Sequence, residues 1–146
     1  MKIYIGTDHR GIEVEKQIVE SLKNDGYEVI QSKIEHSDTD DYVDFAKEVA
    51  DNVVNNKDSI GILICRTGIG MSIAANKVKG IRAARCMSDE DAYLTRFDND
   101  ANVLCLSYDL SINKILDIIN VFIKTEKSSE ERHVRRVNKI RILEEE

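Results

Sequence analysis

One stretch of the chain reads Ile62-Leu-Ile-Cys-Arg-Thr-Gly-Ile-Gly-Met-Ser-Ile-Ala-Ala-Asn-Lys77. Its first four residues are continuously apolar, which is typical of a buried strand in a parallel sheet. Gly68 and Gly70 then let the backbone approach a ligand closely, and the N-terminus of the helix that follows adds positive dipole. The stretch therefore predicts a strand, a turn and a helix, with an oxyanion bound at the turn.

The same alternation continues along the chain in both directions. Five short apolar runs have the length of strands: Lys2–Ile5, Tyr27–Ile30, Ile60–Cys65, Ala83–Cys86 and Val103–Leu106. Helical periodicity follows each run, in stripes at Val14 to Leu22 (ended by Gly26), Tyr42 to Val53, Ile73 to Val78, Ser88 to Arg96 and Ile115 to Phe122. Five βα units predict an α/β fold, a three-layer doubly wound five-stranded parallel sheet with ligands at the carboxyl ends of its strands.

A final segment, Glu130–Leu143, predicts an extra C-terminal helix with Val134, Val137 and Ile140 on one stripe. No strand follows this helix, so it either packs on its own domain or reaches across to another subunit. The length of 146 residues is enough for one compact domain and too little for two, so we expect a single domain over residues 1–146.

Composition excludes several classes of protein. Hydrophobic residues make up 42% of the chain and charged residues 33%, which argues against both a membrane protein and a disordered chain. With 21 basic and 27 acidic residues the net charge is −6, so nucleic acid is not an expected partner. The first residues lead straight into a strand without a signal-peptide pattern, which predicts a cytoplasmic protein with no membrane partner.

The three cysteines are Cys65, Cys86 and Cys105, and no C-x-x-C pair suggests a zinc or redox site. Cys65 lies at the mouth of the glycine turn, where a helix N-terminus and the neighbouring cation of Arg66 favour a thiolate. It is therefore a candidate base or nucleophile, and a small buried hydrophobe is the alternative. Cys86 and Cys105 have no glycine turn, so we expect them to be buried core residues.

Polar residues occur at other strand ends as well. Asp8 and His9 follow the first strand and should emerge at the same edge as Cys65, either as ligand contacts or, for Asp8, as a helix cap. The segment before the fifth strand adds Asp98 and Asn99, for which a polar turn is the alternative. Neither the P-loop nor the dinucleotide motif fits, because Ile12 and Ile73 occupy key positions.

Together these segments resemble the ribose-5-phosphate isomerase B family and its relatives, the galactose-6-phosphate and allose-6-phosphate isomerases. The resemblance covers nearly the whole chain. The matching segments are Gly6-Thr-Asp-His, Asp41-Tyr-Val-Asp-Phe-Ala, Ile64-Cys-Arg-Thr-Gly-Ile-Gly-Met-Ser-Ile-Ala-Ala-Asn-Lys, Gly80-Ile-Arg-Ala, Asn99-Asp-Ala-Asn-Val-Leu and Arg132-His-x-x-Arg-Val.

The resemblance implies an aldose–ketose isomerase of flavodoxin-like, Rossmann-like fold that uses neither a metal nor a cofactor. It further implies a homodimer or tetramer with active sites built from two subunits. Ribose 5-phosphate and ribulose 5-phosphate are the expected pair; a hexose 6-phosphate (allose or galactose), or sugar-phosphate binding without catalysis, are the alternatives.

The resemblance also assigns roles to residues. Cys65 would be the base and Thr67 would assist it. The amides from Arg66 through Gly68, Ile69 and Gly70 to Met71 would stabilise an enediolate oxygen. The substrate contacts would be Asp8 and Asn99 on hydroxyls, Tyr42 along the sugar, and His9, Arg132 and Arg136 on the phosphate.

Several positions depart from the family pattern: Glu130-Glu131 and Val43 are tolerable differences, and three others bear on the site. Asp98 stands where the family usually has the histidine that opens the sugar ring, so Asp98 is a catalytic candidate only if burial keeps it protonated. Otherwise His9 takes over or the substrate is already open. Arg66 replaces a glycine and Asp109 replaces an arginine. We hypothesise that Arg66 partly restores the positive charge lost at Asp109.

Overall fold

The computed structural model describes residues 1–145, in which five strands and six α-helices alternate. The strands are β1 (Lys2–Thr7), β2 (Glu28–Gln31), β3 (Ser59–Cys65), β4 (Ala83–Arg85) and β5 (Val103–Ser107). The helices are α1 (Ile12–Asn24), α2 (Tyr42–Asn55), α3 (Ile69–Ala75), α4 (Asp89–Asn99), α5 (Ile112–Lys124) and α6 (Glu131–Leu143). None of these helices is long and apolar enough to cross a membrane.

The five strands form one parallel sheet in the order β2-β1-β3-β5-β4, which confirms the predicted α/β class. The order reverses between β1 and β3. Compared with the flavodoxin order 2-1-3-4-5, the last two strands are exchanged. The burial of the two strands agrees with this order. All five residues of β5 are buried, as in a central strand, whereas in β4 Ala83 and Ala84 are half-buried and Arg85 is exposed.

Helices cover both faces of the sheet, as the prediction of three layers requires. One apolar core joins the sheet to α1, α4 and α5, and Ile18, Ile62 and Phe122 lie in it, fully buried. The opposite core joins it to α2 and α3 and includes Phe45 and Met71. Since β1 and β3 have buried residues in both cores, their continuous apolar sequences are explained.

Most predicted helix ends are close to the observed ones. Gly26 follows the end of α1 with φ of +91°, and the hydroxyl of Ser88 caps α4 by accepting a hydrogen bond from the N–H of Asp91 at 3.1 Å. The third helix is the exception. We expected it at Ile73 to Val78, but α3 spans Ile69–Ala75, because Met71 and Ala75 are the residues it buries while Ile73 is exposed.

The extra helix α6 packs on α4 of the same chain. His133 and Val137 are buried there, and the ring of His133 meets that of Phe97 edge-on with 5.7 Å between centroids. Val134 and Ile140, which the sequence places on the same stripe as Val137, remain exposed. The helix therefore has one face on its own chain and a second apolar face that residues 1–145 do not cover.

Candidate active site

Three central strands end together at one edge of the sheet. Thr7 of β1 pairs with Ile64 of β3, and Cys65 pairs with Ser107 of β5. Open α/β sheets bind ligands at the carboxyl ends of their strands, next to the point where strand order reverses. Asp8 and His9 leave β1 at this edge, so they emerge beside Cys65 as the sequence predicts.

A tight loop carries Cys65 into α3. The Cys65 side chain is 5% exposed, and its sulfur accepts a hydrogen bond from the backbone N–H of Gly68 at 3.1 Å. Gly68 has φ of +78°, and a Cβ there would lie 3.1 to 3.3 Å from backbone atoms of Leu106 in β5. Only glycine combines this dihedral angle with this close approach. The loop geometry thus places a backbone donor on the sulfur.

The loop is braced from outside by hydrogen bonds to three consecutive carbonyl groups. The N–H of Tyr108 donates to Cys65 O at 3.1 Å, the hydroxyl of Ser107 donates to Arg66 O, and Nε of Arg85 donates to Thr67 O at 2.7 Å. Strands β4 and β5 and the residue after β5 supply these donors. Because its carbonyl groups are held in this way, the loop is preorganised before any ligand binds.

Two amides of the loop between Arg66 and Met71 are engaged within it, and the other four are free. The N–H of Gly68 is bound to the cysteine sulfur, and that of Ile69 donates to Thr67 Oγ1 at 3.1 Å. The N–H groups of Arg66 and Thr67, and those of Gly70 and Met71 in the first turn of α3, have no acceptor among residues 1–145. Of the free amides, those of Gly70 and Met71 also lie at the N-terminus of a helix, whose dipole favours an oxyanion.

Tyr42 packs directly on this turn. A Cβ at Gly70 would lie 2.6 to 2.9 Å from atoms of the Tyr42 phenol, so the ring occupies the space that a side chain at position 70 would need. Tyr42 is the first residue of α2 and is partly exposed. Tyr42 therefore lies against the first turn of α3, and its role along the sugar stays a prediction.

Asp8 and His9 have different partners. Oδ1 of Asp8 accepts a hydrogen bond from the N–H of Arg10 at 3.1 Å, so Asp8 does act as a cap, the alternative raised from the sequence. His9 is held by Asp40: Oδ1 of Asp40 accepts from the His9 backbone N–H at 3.0 Å and lies 2.7 Å from His9 Nδ1. The loop before α2 is thus tied to the end of β1.

Asp40 also contacts a second histidine. Its Oδ2 lies 2.9 Å from Nδ1 of His36, and the Asp40 side chain is 7% exposed. Burial alone would raise the pKa of Asp40, but hydrogen bonds from His9, His36 and the backbone of Ser37 outweigh burial and hold this pKa well below its usual range. No group of His, Cys, Asp and Glu within residues 1–145 is arranged to hold a metal ion.

Asp98 and Asn99 do not join Cys65 within one chain. They end α4 and lead into the amino end of β5, whereas Cys65 pairs with Ser107 at its carboxyl end. A five-residue strand separates these ends by about 13 Å. The expectation that this segment adds polar groups to the edge with Cys65 is therefore wrong for a single chain. Asn99 instead lines a cavity of about 410 Å³ between β4 and α6.

Asp98 is close to the C-terminal helix. Its side chain is 40% exposed, and its Oδ1 lies 3.6 Å from Nε2 of His133. The burial that ring opening by Asp98 would require is thus absent in the single chain. Arg132 and Arg136 are exposed on the same helix, and Arg132 lies 3.6 Å from the carboxylate of Glu130. Four predicted site residues therefore form a group that is separate from Cys65: Asp98, Asn99, Arg132 and Arg136.

Sequence reasoning missed Asp40 and His36 entirely. Asp40 is 31 positions from His9, and no short motif links them. The run Asp38-Thr-Asp-Asp41 before α2 looks like a solvated helix start, and only the tertiary contact distinguishes one of its carboxylates. Arg85 and Ser107, which brace the loop, carried no signal either, since each lies at the end of an ordinary strand.

Comparisons with known proteins identify the family of this chain. The family model described as Ribose/Galactose Isomerase matches residues 3–140. A probable ribose-5-phosphate isomerase B of Mycoplasma genitalium is 43% identical over 141 residues, covering 94% of this chain and 92% of the relative. The Clostridium thermocellum ribose-5-phosphate isomerase B structure matches with a TM-score of 0.93 and 44% identity, covering 99% and 98% of the two chains.

A structure of the Mycoplasma genitalium enzyme with bound ribulose 5-phosphate matches with a TM-score of 0.92 at 42% identity, and covers 99% of this chain and 97% of that one. These relatives thus share the fold and nearly the full length of the sequence. On its sequence, its sheet order and the loop that carries Cys65, the chain belongs to the ribose/galactose isomerase family.

Proposed function

We propose that this protein is an aldose–ketose isomerase that interconverts ribose 5-phosphate and ribulose 5-phosphate through an enediolate. The observation that carries the proposal is the cysteine loop, in which Gly68 N–H lies 3.1 Å from the sulfur of Cys65 and the amides of Gly70 and Met71 are free. Membership of the family and the ribulose 5-phosphate bound to a relative at 42% identity support the choice of substrate.

In the proposed reaction, Cys65 as thiolate removes the proton from C2 of the open aldose. The electron pair of that C–H bond forms the C1=C2 double bond, and the carbonyl oxygen becomes an enediolate oxygen. The amides of Gly70 and Met71 stabilise its charge, and a good donor of this kind contributes about 3 kcal/mol. The thiol then returns the proton to C1. Transfer of the hydroxyl proton from O2 to O1, assisted by Thr67, completes the ketose.

The substrate contacts in this proposal come from both ends of the sheet. Asp8, Tyr42 and His9 lie at the edge that holds Cys65, with Asp8 on a sugar hydroxyl, Tyr42 along the sugar and His9 on the phosphate. Asn99, Arg132 and Arg136 belong to the other group, so we propose that a second copy of the chain supplies them. Two observations support a homo-oligomer with shared sites: the exposed arginines of α6 and its uncovered apolar face.

The reaction is tested with purified protein and ribose 5-phosphate, with allose 6-phosphate and galactose 6-phosphate alongside. We expect turnover of ribose 5-phosphate that Cys65→Ala abolishes while binding of the substrate is retained. Faster turnover of one of the hexose phosphates would instead assign the protein as an isomerase of that hexose 6-phosphate. Binding without any cysteine-dependent turnover on the three sugars would instead identify a sugar-phosphate-binding protein.

Sharing of the site is tested by mixing two inactive variants, Cys65→Ser and Arg136→Ala. If each site takes Cys65 from one copy and Arg136 from the other, mixed dimers contain one intact site. Random exchange of subunits should then restore about a quarter of wild-type activity. A mixture that exchanges subunits and stays inactive would show that each site lies within one chain.

A further inference from the structure

Asp40, whose side chain is 7% exposed, lies at the centre of a hydrogen-bond cluster that joins two segments of the chain. It accepts from the His9 backbone and side chain through Oδ1, and from His36 Nδ1 and the Ser37 backbone through Oδ2, at distances of 2.7 to 3.3 Å. Both carboxylate oxygens are therefore used twice. A surface aspartate that only solvates the start of α2 would not make these contacts.

An ionised carboxylate only accepts hydrogen bonds, so each histidine must present a proton on the nitrogen that faces it. In His9 that nitrogen is Nδ1, 2.7 Å from Asp40. Nε2 of His9 contacts no other polar group in the part of the chain that the structure describes, and the side chain is 27% exposed. The ring is thus fixed on one side and open on the other, at the strand edge that holds Cys65.

His36 holds Asp40 in place. Its ring stacks on the fully buried ring of Phe45 in α2, with 4.9 Å between centroids and 21° between planes. Because Phe45 belongs to the core, the contact anchors the loop that carries Asp40. The chain of contacts therefore runs from the core through His36 and Asp40 to the imidazole of His9.

We propose that Asp40 is a positioning residue that fixes the tautomer and direction of His9, so that Nε2 faces the phosphate end of the sugar phosphate. This inference rests on the proposed function, which assigns His9 to the phosphate. Asp40 does not touch the substrate in this scheme. It acts through His9, in the way that carboxylates orient histidines in other sites.

The decisive variants are Asp40→Asn and Asp40→Ala, with Asp38→Asn as a matched control in the same loop, where the side chain is exposed. Asp40→Ala is expected to raise the KM for ribose 5-phosphate and the inhibition constant of inorganic phosphate by about tenfold each, with a smaller effect on kcat. Asp40→Asn should lie between Asp40→Ala and the wild type, because its amide oxygen still accepts a hydrogen bond but carries no charge. The control should match the wild type.

Nitrogen NMR of the neutral histidines distinguishes a positioning role of Asp40 from a purely structural one. In the wild type His9 should carry its proton on Nδ1, and in Asp40→Ala the population should shift towards Nε2. In a His9→Ala background, Asp40→Ala should add nothing to KM. Unchanged His9 signals, or a full Asp40 effect on KM without His9, would overturn the proposal, as would loss of kcat with KM unaltered.

These readouts also separate the two proposals. If the wild-type protein converts no sugar phosphate, the proposed function fails. The histidine spectra and the affinity for inorganic phosphate then still decide whether Asp40 positions His9. If turnover depends on Cys65 and the Asp40 variants bind phosphate normally, only the inference about Asp40 fails.

Discussion

Nε of Arg66 lies 3.9 Å from Oδ2 of Asp109, beside the loop that carries Cys65. Both side chains are largely exposed, so the pair is weak and screened by solvent. At both positions the chain departs from the family pattern, with arginine in place of glycine and aspartate in place of arginine. The structure thus places the guanidinium of Arg66 next to the carboxylate of Asp109. That Arg66 partly restores the positive charge lost at position 109 stays a hypothesis.

We therefore expect Arg66→Gly to raise the KM for the sugar phosphate about threefold, because a cation near the bound anion is removed. Asp109→Asn should lower KM about twofold, since it frees Arg66 from its partner. Asp117→Asn, an exposed position on α5, serves as the control for loss of a negative charge. Steady-state kinetics at two salt concentrations checks these values. An unchanged KM in Arg66→Gly for every sugar phosphate tested would refute the role of this pair.

The thiol chemistry should belong to Cys65 alone. Burial, with a smaller contribution from the carboxylate of Asp91, raises the pKa of Cys86 to about 12, and burial likewise raises that of Cys105. A raised pKa keeps a thiol neutral, so neither group ionises at neutral pH. In the proposed mechanism Cys65 is the one thiol of the three that acts as the base.

Cys86→Ala is expected to keep a kcat within about twofold of wild type, whereas Cys65→Ser should lose at least about a thousandfold in kcat. The measurement is steady-state kcat and KM for the wild type and the two variants. A serine variant with full activity, or a comparable loss of kcat in Cys86→Ala, would contradict this assignment.

Replacement of Asp98 by histidine is expected to increase the activity. The side chain is 40% exposed in the single chain, and its Oδ1 lies 3.6 Å from Nε2 of His133. Asp98→His introduces a group that titrates near neutrality, which suits ring opening, and should raise kcat/KM for ribose 5-phosphate about fivefold. Glu90→His, exposed on the same helix, is the matched control. If Asp98→His is no faster than this control, ring opening does not limit the enzyme.

Glu15 gives a prediction about stability. It is buried in α1, its Oε1 accepts from Gln31 Nε2 at 3.2 Å, and its Oε2 has no hydrogen-bond partner. Burial raises its pKa, and opposing effects of Gln31 and His36 do not cancel that rise. The folded state therefore holds this proton more tightly than the unfolded state. Glu15 favours folding at acid pH and opposes it as pH rises through the raised value.

Glu15→Gln removes the buried charge and should raise Tm by about 2 to 4 °C at pH 8, with the gain vanishing near pH 4. Glu20→Gln, exposed on the same helix, should leave Tm unchanged at both values. Thermal unfolding followed by circular dichroism gives both numbers. Equal Tm shifts at the two pH values would show that the charge of Glu15 is not the cause.

The fold was predictable because its signals are local. Continuous apolar strands, the glycine at position 26 and the cap at Ser88 each act within a few residues, and all three are in place. The start of α3 was misjudged because Ile73, an apolar residue at helical spacing, faces solvent. The exchange of β4 and β5 depends on how deeply each strand is covered, which periodicity alone does not report.

The candidate site was predictable only in part. Cys65, its glycine loop and Asp8 are adjacent in sequence to the strand ends that bring them together. Asp40 reaches His9 across 31 positions, and a contact of that range has no sequence pattern. Asp98 lies before the amino end of β5, whereas Cys65 pairs with Ser107 at the carboxyl end of that strand. The two residues are therefore at opposite ends of the parallel sheet.

The left-handed residue at position 68 limits how this scaffold can be redesigned. Gly68 has φ of +78°, and a Cβ at this position would lie 3.1 Å from the backbone of Leu106. No side chain fits there, because Leu106 belongs to the central strand β5, which is held by strands on both sides. Libraries aimed at new sugar preferences should therefore leave Gly68 untouched. Diversity introduced at the exposed rim, at Arg66 and Asp109, would reshape the entrance while the amide that touches the sulfur stays where it is.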